Sequence, residues 1–247
     1  MDFGLTDRVV VITGASRGLG RALAEQFAQE GASLGLLARN EEDLVRVADR
    51  LSVQTVAISC DVADEDQVTQ AFEVVSRQLG GIDSVVANAG GQLAAEDAAN
   101  LPLNKWRETV ELNLTGSYIT ACAAYPYLQN SRSGRMIFVS SGAAKHPLNK
   151  MSAYVAAKSG VEGLTRALCV EWSRDQIGVN AVAPGLIDTE GSRRIPSKFK
   201  EKILARTSLD RTGTVLSFNS SVLFLAGDLS EFITGQVISV DGGYGFG

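Results

Sequence analysis

The chain is poor in the residues on which several common chemistries depend. Of its 247 residues one is histidine, His146, and three are cysteine, Cys60, Cys122 and Cys169. The cysteines are far apart, odd in number and without a C-x-x-C or histidine neighbour, so neither a disulfide framework nor a zinc site is indicated, and no metal is expected. A serine–histidine hydrolase would have to use His146, only five residues beyond Ser141 on an expected loop, and one loop rarely supplies triad geometry. No run approaches the roughly 18 apolar residues needed to cross a bilayer, and Met1-Asp2-Phe3-Gly4 lacks the basic region and apolar core of a signal peptide. A soluble, cytoplasmic protein is expected, with no membrane partner. A net charge of −5 argues against a general nucleic-acid binder.

What is present is ordinary globular composition, 45% hydrophobic and 21% charged, with five prolines and no low-complexity stretch or linker. Strand-like apolar runs at 9–13, 33–38, 54–59, 83–87, 135–140, 177–183 and 236–240 alternate with helical patterns. The alternation implies an α/β fold: a doubly wound parallel sheet with helices on both faces, built as one domain over 1–247. In such a sheet ligands sit beyond the carboxyl ends of the strands. Gly14, Arg39, Asp61, Asn88, Ser141 and Pro184 follow the first six runs in turn.

Two patterns carry chemistry. Val9-Val10-Val11-Ile12 reads as a buried strand and leads through Thr13-Gly14-Ala15-Ser16-Arg17-Gly18-Leu19-Gly20 into a helical run closed by Gly31. Glycines between strand and helix let backbone N–H groups and a helix N-terminus approach a pyrophosphate, although the spacing G-x-x-x-G-x-G departs from G-x-G-x-x-G. Farther on, Tyr154 and Lys158 stand one helical turn apart, and Ser141 ends a strand-like run thirteen residues before Tyr154. An ammonium beside a phenol would pull the phenol pKa down from about 10 and make Tyr154 an acid or base usable near neutrality. The same pair could be a surface aromatic with a snorkelling lysine.

Together with Cys60-Asp61-Val62, Asn88-Ala89-Gly90, Asn113, Pro184-Gly185-Leu186-Ile187-Asp188-Thr189 and Thr234-Gly235-Gln236-Val237 before Asp241-Gly242-Gly243, these patterns resemble the short-chain dehydrogenase/reductase family from about residue 7 to residue 243. The resemblance implies a seven-stranded Rossmann fold, an NAD(P) cofactor and hydride transfer between nicotinamide and a carbonyl or secondary alcohol. It implies that Tyr154 exchanges a proton with the substrate oxygen, that Ser141 rather than Ser140 hydrogen-bonds that oxygen, and that Lys158 lowers the tyrosine pKa and binds the nicotinamide ribose. Asn113 would secure a water relaying protons to Lys158. Gly14, Ser16, Arg17, Gly18, Leu19 and Gly20 would form the phosphate turn. Asp61 and Val62 would contact adenine, while Asn88, Ala89 and Gly90 pack along the cofactor. Pro184, Gly185 and Ile187 would be further cofactor-binding residues, with Thr189 on the nicotinamide carboxamide. Asp61 could instead cap the following helix.

Ala38 occupies the place where NAD-dependent members usually carry an acid, and Arg39 follows it. Two guanidinium groups, Arg17 and Arg39, suit a bidentate grip on a 2′-phosphate, so NADP(H) is the expected cofactor. The substrate is a small carbonyl or alcohol of a class left open: 3-oxoacyl thioester, sugar or polyol, steroid or cyclic ketone. A catalytically idle NADP-binding sensor or scaffold is the alternative, disfavoured by the complete Asn113, Ser141, Tyr154, Lys158 set. Within the expected substrate lid, about 186–212, residues 193–211 hold Arg193, Arg194, Lys198, Lys200, Lys202, Arg206 and Arg211 against Glu201 and Asp210, a local +5 that could attract an anionic substrate or carrier, or form a solvated helix face. After it, Thr214-Val215-Leu216-Ser217 departs from the proline and acidic residues common in relatives, which leaves the next helix start in doubt. The apolar-rich helical stretches 103–130 and 152–175 imply, by resemblance, a homotetramer.

Overall fold

The computed structural model describes residues 2–246. Seven strands form one parallel sheet: β1 (Val9–Thr13), β2 (Ser33–Ala38), β3 (Thr55–Ser59), β4 (Ser84–Ala87), β5 (Arg135–Val139), β6 (Gly178–Pro184) and β7 (Val237–Val240). Their spatial order is β3-β2-β1-β4-β5-β6-β7. The chain therefore winds outward from β1 to β3, then returns to the other side of β1, and β1 and β4 flank the reversal point where ligands of such sheets bind. β1, β4 and β5 are buried along their whole length, which is why they read as continuous apolar runs instead of alternating ones.

The helices are α1 (Gly18–Gln29), α2 (Glu41–Ala48), α3 (Glu65–Leu79), α4 (Leu103–Val110), α5 (Gly116–Leu128), the short α6 (Gly142–Lys145), α7 (Ser152–Glu171), α8 (Glu190–Arg193), α9 (Ser197–Leu204) and α10 (Val215–Ala226). Two core layers result. Leu23 and Phe27 of α1 pack with Phe218 and Val222 of α10 on one face of the sheet; Phe72 and Val75 of α3, Leu128 of α5 and Val161 and Leu168 of α7 pack on the other. Burying side chains of this size contributes about 1.5–3 kcal/mol each.

Three expectations need adjustment. The stretch 103–130 is not one helix: a π-helical turn, Glu111–Thr115, separates α4 from α5. The stretch 152–175 stays helical to Glu171 and closes in a 3-10 turn, Ser173–Asp175. The doubt over the start of α10 is removed, because Thr214 takes over the capping, its hydroxyl accepting from the Ser217 N–H at 3.2 Å. Among the described residues no helix is long and apolar enough to cross a membrane.

Candidate active site

A cleft of about 640 Å³ runs along the carboxyl ends of the strands, from Arg39 and Asp61 at one end to Tyr154, Lys158 and Thr189 at the other. Its floor is the strand-to-helix turn after β1. Residue 17 precedes α1 in extended conformation and supplies no side-chain cap, and no acidic residue lies in the first turn. By contrast Asn40, Asp64 and Thr214 cap α2, α3 and α10 through their side chains. The α1 N-terminus thus lacks a side-chain acceptor and points its positive end toward the cleft, a ready site for phosphate oxygens. The tightness of the turn depends on Gly20, where a Cβ would lie 2.2 Å from the Gly14 carbonyl oxygen and 2.6 Å from Asn88 Nδ2. Thr13 locks the turn to the end of β4: its hydroxyl accepts from the Asn88 and Ala89 N–H groups at 3.0 Å, and the Asn88 side-chain amide donates back to the Thr13 carbonyl at 2.9 Å. These groups fit a dinucleotide.

At the adenosine end β2 finishes in Ala38, so the strand presents no carboxylate there. Arg17, Arg39 and Asn40 line this end together with Asp43 and Asp61. Asp43 is paired with Arg46. Arg39 lies 3.9 Å from Asp61 with both groups exposed, a pair too wet to hold either side chain firmly. Asp61 does not cap α3. It accepts from the Ala63 N–H within its own turn, and the cap is Asp64, which accepts from the Gln67 N–H at 3.0 Å.

At the other end β5, α6 and α7 assemble the hydroxyl, phenol and ammonium. Ser141 follows β5 and caps α6, its hydroxyl accepting from the Ala143 N–H at 3.2 Å, and it sits beside the Tyr154 phenol. Ser140 borders the cleft, but its hydroxyl is directed away, donating to Glu162 at 2.9 Å; of the two serines, Ser141 meets Tyr154. Lys158 is buried, and its Nζ donates to the Val139 carbonyl at 2.8 Å and lies 5.9 Å from the centre of the Tyr154 ring.

This geometry overturns the expected lowering of the Tyr154 pKa. Burial pushes the phenol above its ordinary value, and the Ser141 hydrogen bond offsets only part of that. The Lys158 ammonium, 5.9 Å from the ring centre, does not reverse it. Burial also pulls the Lys158 ammonium down to about 8. In the absence of ligand, Tyr154 is a neutral proton donor at neutral pH.

Asn113 is completely buried in the π-helical turn. Its Oδ1 accepts from the Gly91 N–H, and its Nδ2 donates to the Gly91 and Thr109 carbonyls, all at 2.9 Å. The side chain is therefore committed to holding the segment after β4, and any water relay must use another group, such as its backbone carbonyl. Gly90 sits between this amide and the lysine: a Cβ there would lie 2.6 Å from Asn113 Oδ1 and 3.1 Å from Lys158 Nζ.

Of the other expected residues, Gly14, Ser16, Arg17, Gly18, Leu19, Val62, Asn88, Ala89, Gly90 and Pro184 all border the cleft. Thr189 borders it too, while its oxygen caps α8 by accepting from the Ser192 N–H at 3.1 Å, which leaves the hydroxyl proton free to donate. Ile187 does not: its side chain belongs to the core. Gly185 packs on Asp241. Sequence reasoning missed Thr13 as the lock of the turn and Leu112 and Val139 as apolar wall, while Arg194, expected as a lid charge, borders the cleft just after α8. A hydroxyl at the last position of a buried strand was the available signal for Thr13.

Comparison with known proteins agrees with this architecture. A family model described as Enoyl-(Acyl carrier protein) reductase matches residues 14–245. The chain is 35% identical to a 3-oxoacyl-(acyl-carrier-protein) reductase of Thermotoga maritima, over 97% of this chain and 98% of the relative. It is 33% identical to an NAD-dependent glycerol dehydrogenase of Listeria innocua, over 98% and 96%. Among solved structures, a 3-oxoacyl-(acyl-carrier protein) reductase of Brucella melitensis superposes with a TM-score of 0.91 at 32% identity, covering 98% of this chain and 94% of that one. With this match running nearly end to end over a reversal-point cleft of the same design, the chain belongs to the short-chain dehydrogenase/reductase family of oxidoreductases.

Proposed function

We propose that the enzyme is an NADP(H)-dependent carbonyl reductase in which Tyr154 is the general acid. The observation that carries the reading is the Ser141–Tyr154 hydroxyl pair above the buried Lys158, at the end of a cleft whose other end holds Arg17 and Arg39 without a strand-end carboxylate. The bound cofactor supplies the hydride. Ser141 and Tyr154 orient the substrate oxygen, and Tyr154 delivers a proton to it as negative charge develops. Lys158 places a positive charge behind that transfer. With its phenol protonated, Tyr154 is in the form that carbonyl reduction uses.

Arg17 and Arg39 support NADP(H) over NAD(H), a preference that separates this enzyme from the NAD-dependent Listeria relative. Thr189, with a hydroxyl proton to donate, would hold the carboxamide. The segment 186–212 would cover the substrate. Relatives named as 3-oxoacyl-(acyl-carrier-protein) reductases, those of Thermotoga maritima and Brucella melitensis among them, support a 3-oxoacyl thioester as the first substrate to try, although Arg193 and Arg194 are already paired with Asp188 and Glu190 and add little free charge. The exposed Tyr118 of α5 and Val170 of α7 support helix-to-helix association into a homotetramer.

The test is a panel of 3-oxoacyl thioesters, sugars, steroids and cyclic ketones, followed through the absorbance of reduced nicotinamide with each cofactor, beside Tyr154→Phe. Turnover by the parent and none by the variant supports the reading. A parent that binds NADPH but turns over no carbonyl or alcohol would leave it a sensor or scaffold.

A further inference from the structure

The segment after β7 does not line the cleft, yet it touches both the lid and the Ser141 turn. The β7 end is pinned first: the Gly185 N–H donates to the Val240 carbonyl at 3.0 Å, and a Cβ on Gly185 would lie 2.7 Å from Asp241 Cα. The chain then turns through left-handed Gly242 and Gly243 and runs antiparallel to the end of the lid. The Leu209 N–H donates to the Gly242 carbonyl at 3.0 Å, the Gly245 N–H donates to the Arg206 carbonyl at 2.7 Å, and Thr207 and Tyr244 form a β-bridge.

Tyr244 is the pivot of this contact. It is 4% exposed. The Arg206 guanidinium lies over its ring at 5.1 Å, His146 meets it edge-on at 5.7 Å, and a Cβ on Gly142 would touch its Cδ1 at 3.5 Å. Gly142 is the residue directly after Ser141. One aromatic ring thus joins the lid to the turn that presents the serine to Tyr154. The join matters because α8 and α9 bury none of their own residues and have little else to fix their position.

We propose that Tyr244 is a positioning residue: its ring holds the end of the lid at Arg206–Leu209 against the Ser141 turn and so sets the depth of the substrate site. The proposal rests on the reading of Ser141 and Tyr154 given above. The ring does this work by packing, and the Tyr244 hydroxyl, buried without a partner, is dispensable.

The experiment compares Tyr244→Ala, Tyr244→Phe and Gly245→Ala with the parent, and includes Tyr154→Phe as reference. Gly245 has φ of +90°, and a Cβ there would lie 2.4 Å from His146 Nδ1, so Gly245→Ala displaces the strap while keeping the ring. Tyr244→Ala should raise the carbonyl KM about tenfold or more with kcat less affected, since losing contacts made equally in ground and transition state weakens binding without slowing the chemical step. NADPH affinity, read by fluorescence, should stay within about threefold because the α1 turn is untouched. Tryptic cleavage at Lys198, Lys200 and Lys202, mapped by mass spectrometry, should accelerate as the lid is released. Gly245→Ala should shift KM and cleavage the same way, and it decides the matter if Tyr244→Ala does not fold. Tyr244→Phe should restore parent behaviour. Unchanged KM and cleavage in the two alanine variants would overturn the proposal, as would a Phe variant as impaired as the Ala one. An active Tyr154→Phe would instead sink the underlying assignment, whatever Tyr244 does.

Discussion

The two ends of the cleft are built differently. The turn after β1 is made of backbone and buried side chains: α1 buries Leu23, Ala24, Phe27 and Ala28, and Thr13 and Asn88 bolt the turn to β4. Beyond Ile187, the segment 186–212 carries two short helices, α8 and α9, with no buried residue of their own, and exposed ion pairs around α8, Arg193–Asp188 and Arg194–Glu190. Exposed pairs contribute about 0–1 kcal/mol each, far less than a buried aromatic. The cofactor end is therefore formed before any ligand arrives, whereas the substrate end is free to be set by what binds. A family can keep one end and vary the other.

The contrast is sharpest for Tyr154→Phe. Turnover should fall by about 10² to 10⁴, the usual range for a lost general acid, while NADPH affinity measured by fluorescence stays unchanged because the α1 turn does not depend on the phenol. Activity within threefold of the parent would break it. Next in size is cofactor choice. Each charged phosphate contact contributes about 1.5–3 kcal/mol, so kcat/KM should favour NADPH by at least about tenfold, and Ala38→Asp with Arg39→Leu should reverse the preference. Equal use by the parent would remove Arg17 and Arg39 from the argument.

Lys158 gives a smaller but more diagnostic effect. Unfolded, it holds its proton to about 10.5, and folded only to about 8. Between those values the unfolded state binds more protons, so stability from this group rises with pH, and below about 8 its buried charge is a constant burden. Lys158→Met should abolish turnover and yet stabilise the protein at pH 7 by about 1–3 kcal/mol in denaturant melts, with the gain shrinking toward pH 10. A destabilised variant would mean that the Val139 hydrogen bond outweighs desolvation. The smallest effect is expected at the lid surface: Arg193→Glu with Arg194→Glu should change kcat/KM by less than about threefold at 0.15 M salt, since both charges are already partnered and screened. A steep loss with an anionic substrate alone would restore these arginines as its recruiters.

The sheet was legible because its central strands are buried apolar runs and the half-exposed edge strands β3 and β7 keep β-branched apolar residues, and every strand lies within a residue of its expected bounds. The site was legible where chemistry demands a residue type at a strand end, as at Gly14, Asn88 and Ser141. Legibility failed where position depends on packing of distant parts. Ile187, expected beside the cofactor, turns into the core because its strand-end neighbours already form the wall. The Tyr154 pKa was read from a neighbouring ammonium alone, whereas burial, which no local pattern reveals, dominates. Nor does anything in Glu111–Thr115 announce a π turn.

That turn sets a constraint on how the protein can change. A helix that carries one extra residue in a single turn presents different faces before and after it, and here α4 and α5 are offset so that Asn113 points inward to grip Gly91. Removing any one residue from Glu111–Thr115 would give a more regular helix and rotate one half against the other by roughly a quarter turn. The Gly91 grip and the α5 packing face could not then be satisfied together. The length between Leu103 and Leu128 is therefore set by the Gly91 grip as much as by packing.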